Sequence, residues 1–288
     1  MLLWLLIKTG LMSIFFVFIA SWYLSLFGQS FFQHRYAAHG AFKMTKKWER
    51  TFFVITYLFQ GTAYMSPRAY GIMHRMHHAY TDTPLDPHTP RYSRNLLQMM
   101  WRTRRFYRDI LNDRMEVEER FTKNLPEWKS FDRWGDSIAS TVLWLAVYAT
   151  IFVFLAPNIW CWLLLPVIAL SGAVHGSVIN WFAHRYGYIN FPLRNTAKNL
   201  LIVDFLMLGE SYHNNHHKFP SAANFGVRWH EIDPIYLIIL LFSKIGIIQM
   251  PDLTPRTAKL KAKQSRLAES NAGISSERPS RARAVTMP

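Results

Sequence analysis

The stretch Gly209-Glu210-Ser211-Tyr212-His213-Asn214-Asn215-His216-His217 sets three imidazoles at positions i, i+3 and i+4. On a helix those positions spread over about 100° of arc, so all three rings can face one side. The same His-x-x-His-His spacing recurs in His74-Arg75-Met76-His77-His78. A further cluster, His34-Arg35-Tyr36-Ala37-Ala38-His39, has a five-residue spacing, and a single His184 follows Asn180 by four. His34 and His39 are about 140° apart on an ideal helix, which predicts that this cluster sits where a helix ends and unwinds. Imidazole is the side chain that binds a transition metal as a neutral donor near pH 7. Nine clustered histidines overshoot the four ligands of a structural zinc and the three of a catalytic one. The pattern therefore points to two metals, with His77 and His78 directed far enough apart to serve different ions. A histidine-rich di-iron centre fits this donor set best, although imidazole alone also accepts zinc or copper. Ferritin-like sites use glutamates with two Glu-x-x-His pairs, and this chain offers one such pair, Glu210 with His213.

Working outward, the composition describes a membrane protein. Of 288 residues, 50% are hydrophobic and 16% aromatic, yet 33 are Lys or Arg and the net charge is +15. The positive residues border apolar segments, as in the cytoplasmic loops of membrane proteins, so the charge is not read as a nucleic-acid footprint. Cys161 stands alone in an apolar run, which excludes disulfides and Cys-ligated clusters. No Gly-x-Gly occurs, so no dinucleotide fingerprint supports an internal source of electrons.

A bilayer core of about 30 Å needs about 20 helical residues. Spans are expected over about 11–30, 138–155 and 159–179, the last two forming a hairpin through Ala156-Pro157-Asn158. The apolar stretches 51–65 and 235–248 are too short to cross comfortably and are read as re-entrant or interfacial. Charge-free Ala156-Pro157-Asn158 lies between flanks bearing Arg133 and Arg185, so the flanks, and with them all four histidine groups, face the cytoplasm. The expected architecture is an all-α integral membrane protein. It has about three transmembrane helices, re-entrant or interfacial helices and a cytoplasmic helical cap carrying the metals. Residues 1–255 form this membrane domain, and the basic Ser/Ala/Arg-rich segment 256–288 is expected to be a disordered cytoplasmic tail.

The three boxes resemble the membrane fatty acid desaturases, specifically the stearoyl-CoA desaturase-like branch. So do Asn180-x-x-x-His184, the run Thr81-Asp82-Thr83-Pro84-Leu85-Asp86-Pro87-His88 and the stretch Gly209–His217. The resemblance covers about Phe31 to about Gly246. It implies a di-iron enzyme that uses O2 to introduce a cis double bond into a fatty acyl chain. It also implies that the irons are held by His34, His39, His74, His77, His78, His184, His213, His216 and His217, with Asn180 acting through water. The acyl group could ride on coenzyme A, acyl-carrier protein or a phospholipid. A separate donor such as ferredoxin or rubredoxin, with its reductase, would supply the electrons. A bacterial cytoplasmic membrane is favoured over endoplasmic reticulum, with membrane lipid as surroundings and no nucleic-acid partner. Lipid hydroxylase or ketolase chemistry is the close rival, and a metal- or haem-binding membrane protein without oxygenase activity the distant one.

Metal-bound histidines usually donate their far N–H to a carboxylate or carbonyl. Asp82, Asp86 and Glu210 are candidates for that role by proximity in sequence, and His175 by its place in an apolar stretch. Asp82 and Asp86 read equally well as helix caps or arginine partners. His88 and His230 are read as structural, and Met73 and Met76 as packing. Arg102, Arg104, Arg105 and Arg108 form a solvated or lipid-headgroup face that could also receive a substrate head group.

Overall fold

The computed structural model describes residues 2–251, with side chains from residue 10 onward. The expected tail over 256–288 lies outside the described residues.

Uniform apolarity makes α1 (Leu2–Phe27) a helix without a polar face, and Lys8-Thr9-Gly10 does not interrupt it. The helix does not stop near Ser30. It continues as an 11-residue π-helix, Gly28–Ala38, so one apolar rod runs from Gly10 to Ala38. After β1 (Lys43–Met44), Thr45 caps α2 (Lys46–Gln60). Ser66 accepts from the Ala69 N–H and Pro67 occupies the first turn, which starts α3 (Pro67–Tyr80), the helix that carries the second box. Asn95 caps α4 (Leu96–Leu111) in the same manner. Two short helices, α5 (Glu119–Thr122) and α6 (Lys129–Gly135), lead to the charge-free α7 (Ile138–Leu155).

The expected span over 159–179 is not one straight helix. A 3-10 turn (Ile159–Leu164) leads into α8 (Leu165–Ala169). The chain then bends by 66° before α9 (Ser171–Ser177) and a second π-helix, Val178–Phe182. By length and composition two helices can cross a membrane, or three if the bent pair counts as one span. The third box forms α10 (His213–Lys218), and α11 (Pro234–Lys244), capped by Asp233, precedes β2 (Ile248–Gln249). The two strands pair antiparallel, Lys43 with Gln249 and Met44 with Ile248, tying the segment after α11 to the segment after the first box.

The chain is an all-α membrane protein, and its surface reflects that. Phe16, Ile138, Phe154 and Trp160 are largely exposed although large and apolar, as lipid-facing positions require. Between the apolar helices, packing is supplemented by polar pairs. Ser25 meets Ser171 at 2.9 Å, joining α1 to α9, and Gln33 exchanges hydrogen bonds with Gln60 at 2.9 and 2.8 Å. Such contacts join helices where apolar burial against lipid gives no net gain.

Beyond the second π-helix the backbone turns back at Gly187, where φ is +114° and a Cβ would lie 2.1 Å from the Asn199 carbonyl oxygen. This close approach lets Tyr188 and Asn199 exchange backbone hydrogen bonds of 2.9 and 2.7 Å. Asn199 in turn accepts from the first amides of α10. Gly187→Ala is expected to cost more than about 2 kcal/mol, visible as a lower unfolding midpoint in detergent. An unchanged midpoint would show that this turn does not set the position of α10.

Candidate metal centre

The four histidine groups converge into two sets of ring nitrogens. His34, His39, His74, His78 and His216 form one set, and His77, His184, His213 and His217 the other, with the donor atoms of each set all within 4.8 Å of one another. All nine residues singled out in the sequence are therefore brought together, and His77 and His78 are divided between the sets as their directions require.

The first box does sit where the first span ends, His39 capping the helix after Ala38, but the rings are aligned by a π-helix rather than by an unwound segment. His39 donates its backbone N–H to the His34 carbonyl at 3.1 Å, an i→i−5 bond. A π-turn brings residue i+5 back over residue i, whereas an α-helix would turn it away. The wider turn thus supplies the alignment that a five-residue spacing lacks. The second π-helix contains Asn180, which faces the adjoining cavity, and ends just before His184.

Nε2 to Nε2 distances are 2.8 Å for His39–His74 and His78–His216, and 3.0 Å for His74–His78 and His34–His216. In the other set they are 3.0 Å for His184–His213 and His213–His217, and 3.2 Å for His77–His217. Burial holds His39, His74, His78 and His216, and His77, His213 and His217, well below the ordinary imidazole value, and neighbouring charges lower them further. These rings are neutral near pH 7, the form that binds metal.

The far nitrogens of His34, His77 and His184 meet polar partners, whereas those of His213 and His216 are buried without one. His34 Nδ1 meets Glu210 Oε2 at 2.6 Å, and His77 Nδ1 meets Asp86 Oδ1 at 2.9 Å. Asp82 touches no histidine. It accepts from the Thr196 N–H at 2.6 Å, and Thr196 Oγ1 lies 3.1 Å from His184 Nδ1. Thr196 escaped the sequence reading because only the fold places it beside His184. His175 contacts no clustered histidine; both its nitrogens lack a partner and its ring stands edge-on to Trp22 at 4.4 Å. His88, read as structural, lies against His77 at 4.2 Å between ring centroids. It also lines the cavity beside the donor sets, while His230 stays outside.

Two supports carry no histidine signature. Arg35, fully buried, donates to Glu210 at 2.7 Å and Asp233 at 2.8 Å, also hydrogen-bonds Ser30, and covers the Phe225 ring at 3.8 Å. Asn214 and Asn215, inside the third box, orient α10. Their amides reach Asn199 Oδ1 at 2.9 and 3.2 Å, and the Asn215 side chain donates to Glu231 at 2.8 Å.

A cavity of about 730 Å³ adjoins the sets. His34, His74 and His213 reach its wall, with apolar lining from Leu26, Met73, Ile179 and Met207. Arg104 and Arg108 line it too, and Arg108 pairs with Asp136. Arg102 and Arg105 instead line a neighbouring groove of about 520 Å³ with Tyr92 and Phe106. The four arginines read together in the sequence thus divide between two surfaces of α4.

Burial alone would raise the Glu210 carboxyl, but the adjacent His34 ring, the Arg35 charge and the hydrogen bonds from His34 and Ser30 outweigh it and bring it down to about 2. A depressed carboxyl stabilises the fold above its unfolded value of 4.5, and that contribution fades as pH falls toward about 2. Metal-free Glu210→Gln is expected to be less stable at neutral pH and to lose less stability between pH 4.5 and 2. Unfolding midpoints across that range check it; parallel profiles for the two proteins would contradict it.

Comparison with known proteins agrees with this arrangement. The family model described as fatty acid desaturase matches residues 10–243. A hex-5-enoyl-[acyl-carrier protein] acetylenase of Moorena producens is 27% identical, over 84% of this chain and 77% of that protein. An acyl-CoA 5-desaturase of Anemone leveillei is 29% identical over 77% of this chain and 66% of its own length. An sn-1 stearoyl-lipid 9-desaturase of Synechocystis is 26% identical over 78% and 67%. With the histidine sets, the apolar rods and a family match over most of its length, this chain belongs to the fatty acid desaturases.

Proposed function

We propose that the protein is a di-iron, O2-dependent desaturase that introduces a cis double bond into a fatty acyl chain held in the cavity. The observation that carries the proposal is that two all-histidine donor sets reach the wall of one largely apolar cavity of about 730 Å³, a size suited to a small-molecule ligand. The nine histidines would hold the two irons, and Asn180 would act through a water. The bound irons supply O2 activation. The overall conversion takes one hydrogen from each of two adjacent methylenes and, with two electrons and two protons from outside, reduces O2 to two waters.

The residues of the chain do the rest. Leu26, Met73, Ile179 and Met207 would exclude water from the acyl chain, and Arg104 and Arg108 would meet its charged head group. Glu210 and Asp86 hold the His34 and His77 rings in the orientation that directs Nε2 inward. The relatives act on acyl-CoA, acyl-carrier-protein or acyl-lipid substrates by name, and a fatty acyl chain is common to all. The active site would face the cytoplasm of a bacterial membrane. A donor such as ferredoxin or rubredoxin, with its reductase, would supply the electrons.

His77→Ala and His216→Ala are each expected to lose stoichiometric iron and all unsaturated product in a host lacking desaturase activity. Mass spectrometry of lipids from the wild-type host should show loss of two hydrogens. A gain of one oxygen would instead establish a hydroxylase, and unsaturated lipid from either alanine variant would refute the assignment. Asp86→Asn, which leaves every ligand in place, should weaken metal binding about 10- to 100-fold in competitive chelator titrations. Equal affinity would exclude Asp86 as the partner of His77.

A further inference from the structure

The cavity beside the donor sets is open on the side of the apolar helices. Leu97 and Trp101 on α4, Leu145 on α7 and Leu170 at the 66° bend between α8 and α9 all line it. The same four side chains are 79, 64, 42 and 57% exposed. Ile138 and Val142 stand on the Leu145 face of α7 at spacings of seven and three; both are exposed and neither lines the cavity, so this face looks outward. A residue that lines the cavity from such a face marks its mouth. Among the described helices α7 is long and apolar enough to cross a membrane, and Leu145 lies roughly 10 Å along it from Ile138. The mouth therefore opens on a surface that meets lipid acyl chains.

One stripe of α4 builds the polar end of this mouth. Leu97, Trp101, Arg104 and Arg108 follow one another at spacings of four, three and four, so they share a helix face, apolar first and basic second. Asp136 pairs with Arg108 and lies within the field of Arg104. Glu210, the other carboxylate of the lining, is taken up by Arg35. Two guanidiniums against one carboxylate leave a single positive charge at the mouth. A lone phosphodiester matches that charge, and the several phosphates of coenzyme A do not. Arg102 and Arg105 do not make up the difference, because they line the neighbouring groove with Asp109, beyond the Trp101 ring that borders both spaces. A carrier protein would arrive from water, whereas the mouth faces lipid.

We infer that the acyl chain belongs to a phosphoglycerolipid of the surrounding bilayer and enters the cavity sideways between α4 and α7, with its phosphodiester against Arg104 and Arg108. The inference rests on the desaturase reading for what happens to the chain, and on the mouth alone for how the chain arrives. The tail passes from neighbouring lipids past Leu145 and Leu170 to Met73 and Ile179 beside the donor sets, without exposing its methylenes to water. Trp101 stands where the apolar and basic halves of the α4 stripe meet, the place an indole takes between acyl chains and head groups. Entry makes and breaks no bond. The ester to glycerol stays intact, and the lipid leaves by the same mouth.

The test uses iron-loaded full-length protein in phosphatidylglycerol nanodiscs holding a trace of the same lipid with a diazirine near the end of one acyl chain. Irradiation and peptide mass spectrometry are expected to place crosslinks on the inner wall, at Met73, Ile179 or Met207. Leu145→Trp and Leu97→Trp narrow the mouth from its two sides, and each should reduce those crosslinks about ten-fold. Val153→Trp, on an exposed position of α7 away from the cavity, should leave them unchanged. Iron content should match wild type in all three. Inner-wall labelling by a diazirine acyl-CoA or acyl-carrier protein but not by the lipid would overturn the inference. So would equal lipid labelling in wild type and both mouth variants, an equal loss in Val153→Trp, or iron loss from both mouth variants. Lipid labelling of the inner wall with no unsaturated product would remove desaturation and leave the lateral mouth standing. Unsaturated product from acyl-CoA without lipid labelling would do the reverse.

Discussion

A single buried guanidinium joins the parts that must meet for the histidines to converge. Arg35 lies in the first π-helix, pairs with Glu210 ahead of the third box and with Asp233 at the start of α11, and covers Phe225. An unpaired charge at this depth would be strongly unfavourable, so these four segments are constrained to one another. The second oxygen of Glu210 carries the constraint to His34. Breaking one partner leaves the other charge buried, which makes the network decisive for geometry whatever its net contribution to stability.

Around that anchor the two donor sets are oriented separately. In the set of five Glu210 orients His34, and in the set of four Asp86 orients His77 and Asp82, through Thr196, orients His184. Asp86 is pushed upward by burial, an effect that the hydrogen bonds from the His88 and Asp82 amides partly oppose. A cation on the far side of His77 would favour its charged form. Ligand orientation and metal charge therefore reinforce each other at His77.

The sequence was most legible where chemistry repeats at a fixed spacing. Two His-x-x-His-His boxes, a His-x4-His and the single His184 four residues after Asn180 give all nine histidine candidates, because such spacings show which rings can share a face. Glu210 and Asp86 were legible as neighbours of ligands. Thr196, Asp233 and Asn199 were not, since they lie on loops or caps whose approach depends on tertiary turns such as Gly187. Hydropathy located the apolar segments but missed the 66° bend after α8, because apolar content does not distinguish a straight helix from a broken one. The place of the first box at the end of the first span was legible, but not the π-helix that aligns it, because an ideal α-helical period was applied there.

The π-helices also solve a problem of phase. A helix in lipid must show apolar side chains all round, while a helix end at a metal must turn its polar rings one way. In an uninterrupted α-helix the azimuth of every residue is tied to every other by the same increment. Where the ladder changes from i−4 to i−5, that bookkeeping restarts, and the end of the rod is rotated independently of its body. Both rods that enter the site, Gly10–Ala38 and the segment ending at Phe182, change ladder just before their ligands. Lateral packing in the bilayer and angular aim at the centre can thus be adjusted separately within one continuous rod, as a joint lets a shaft and its tool turn to different settings.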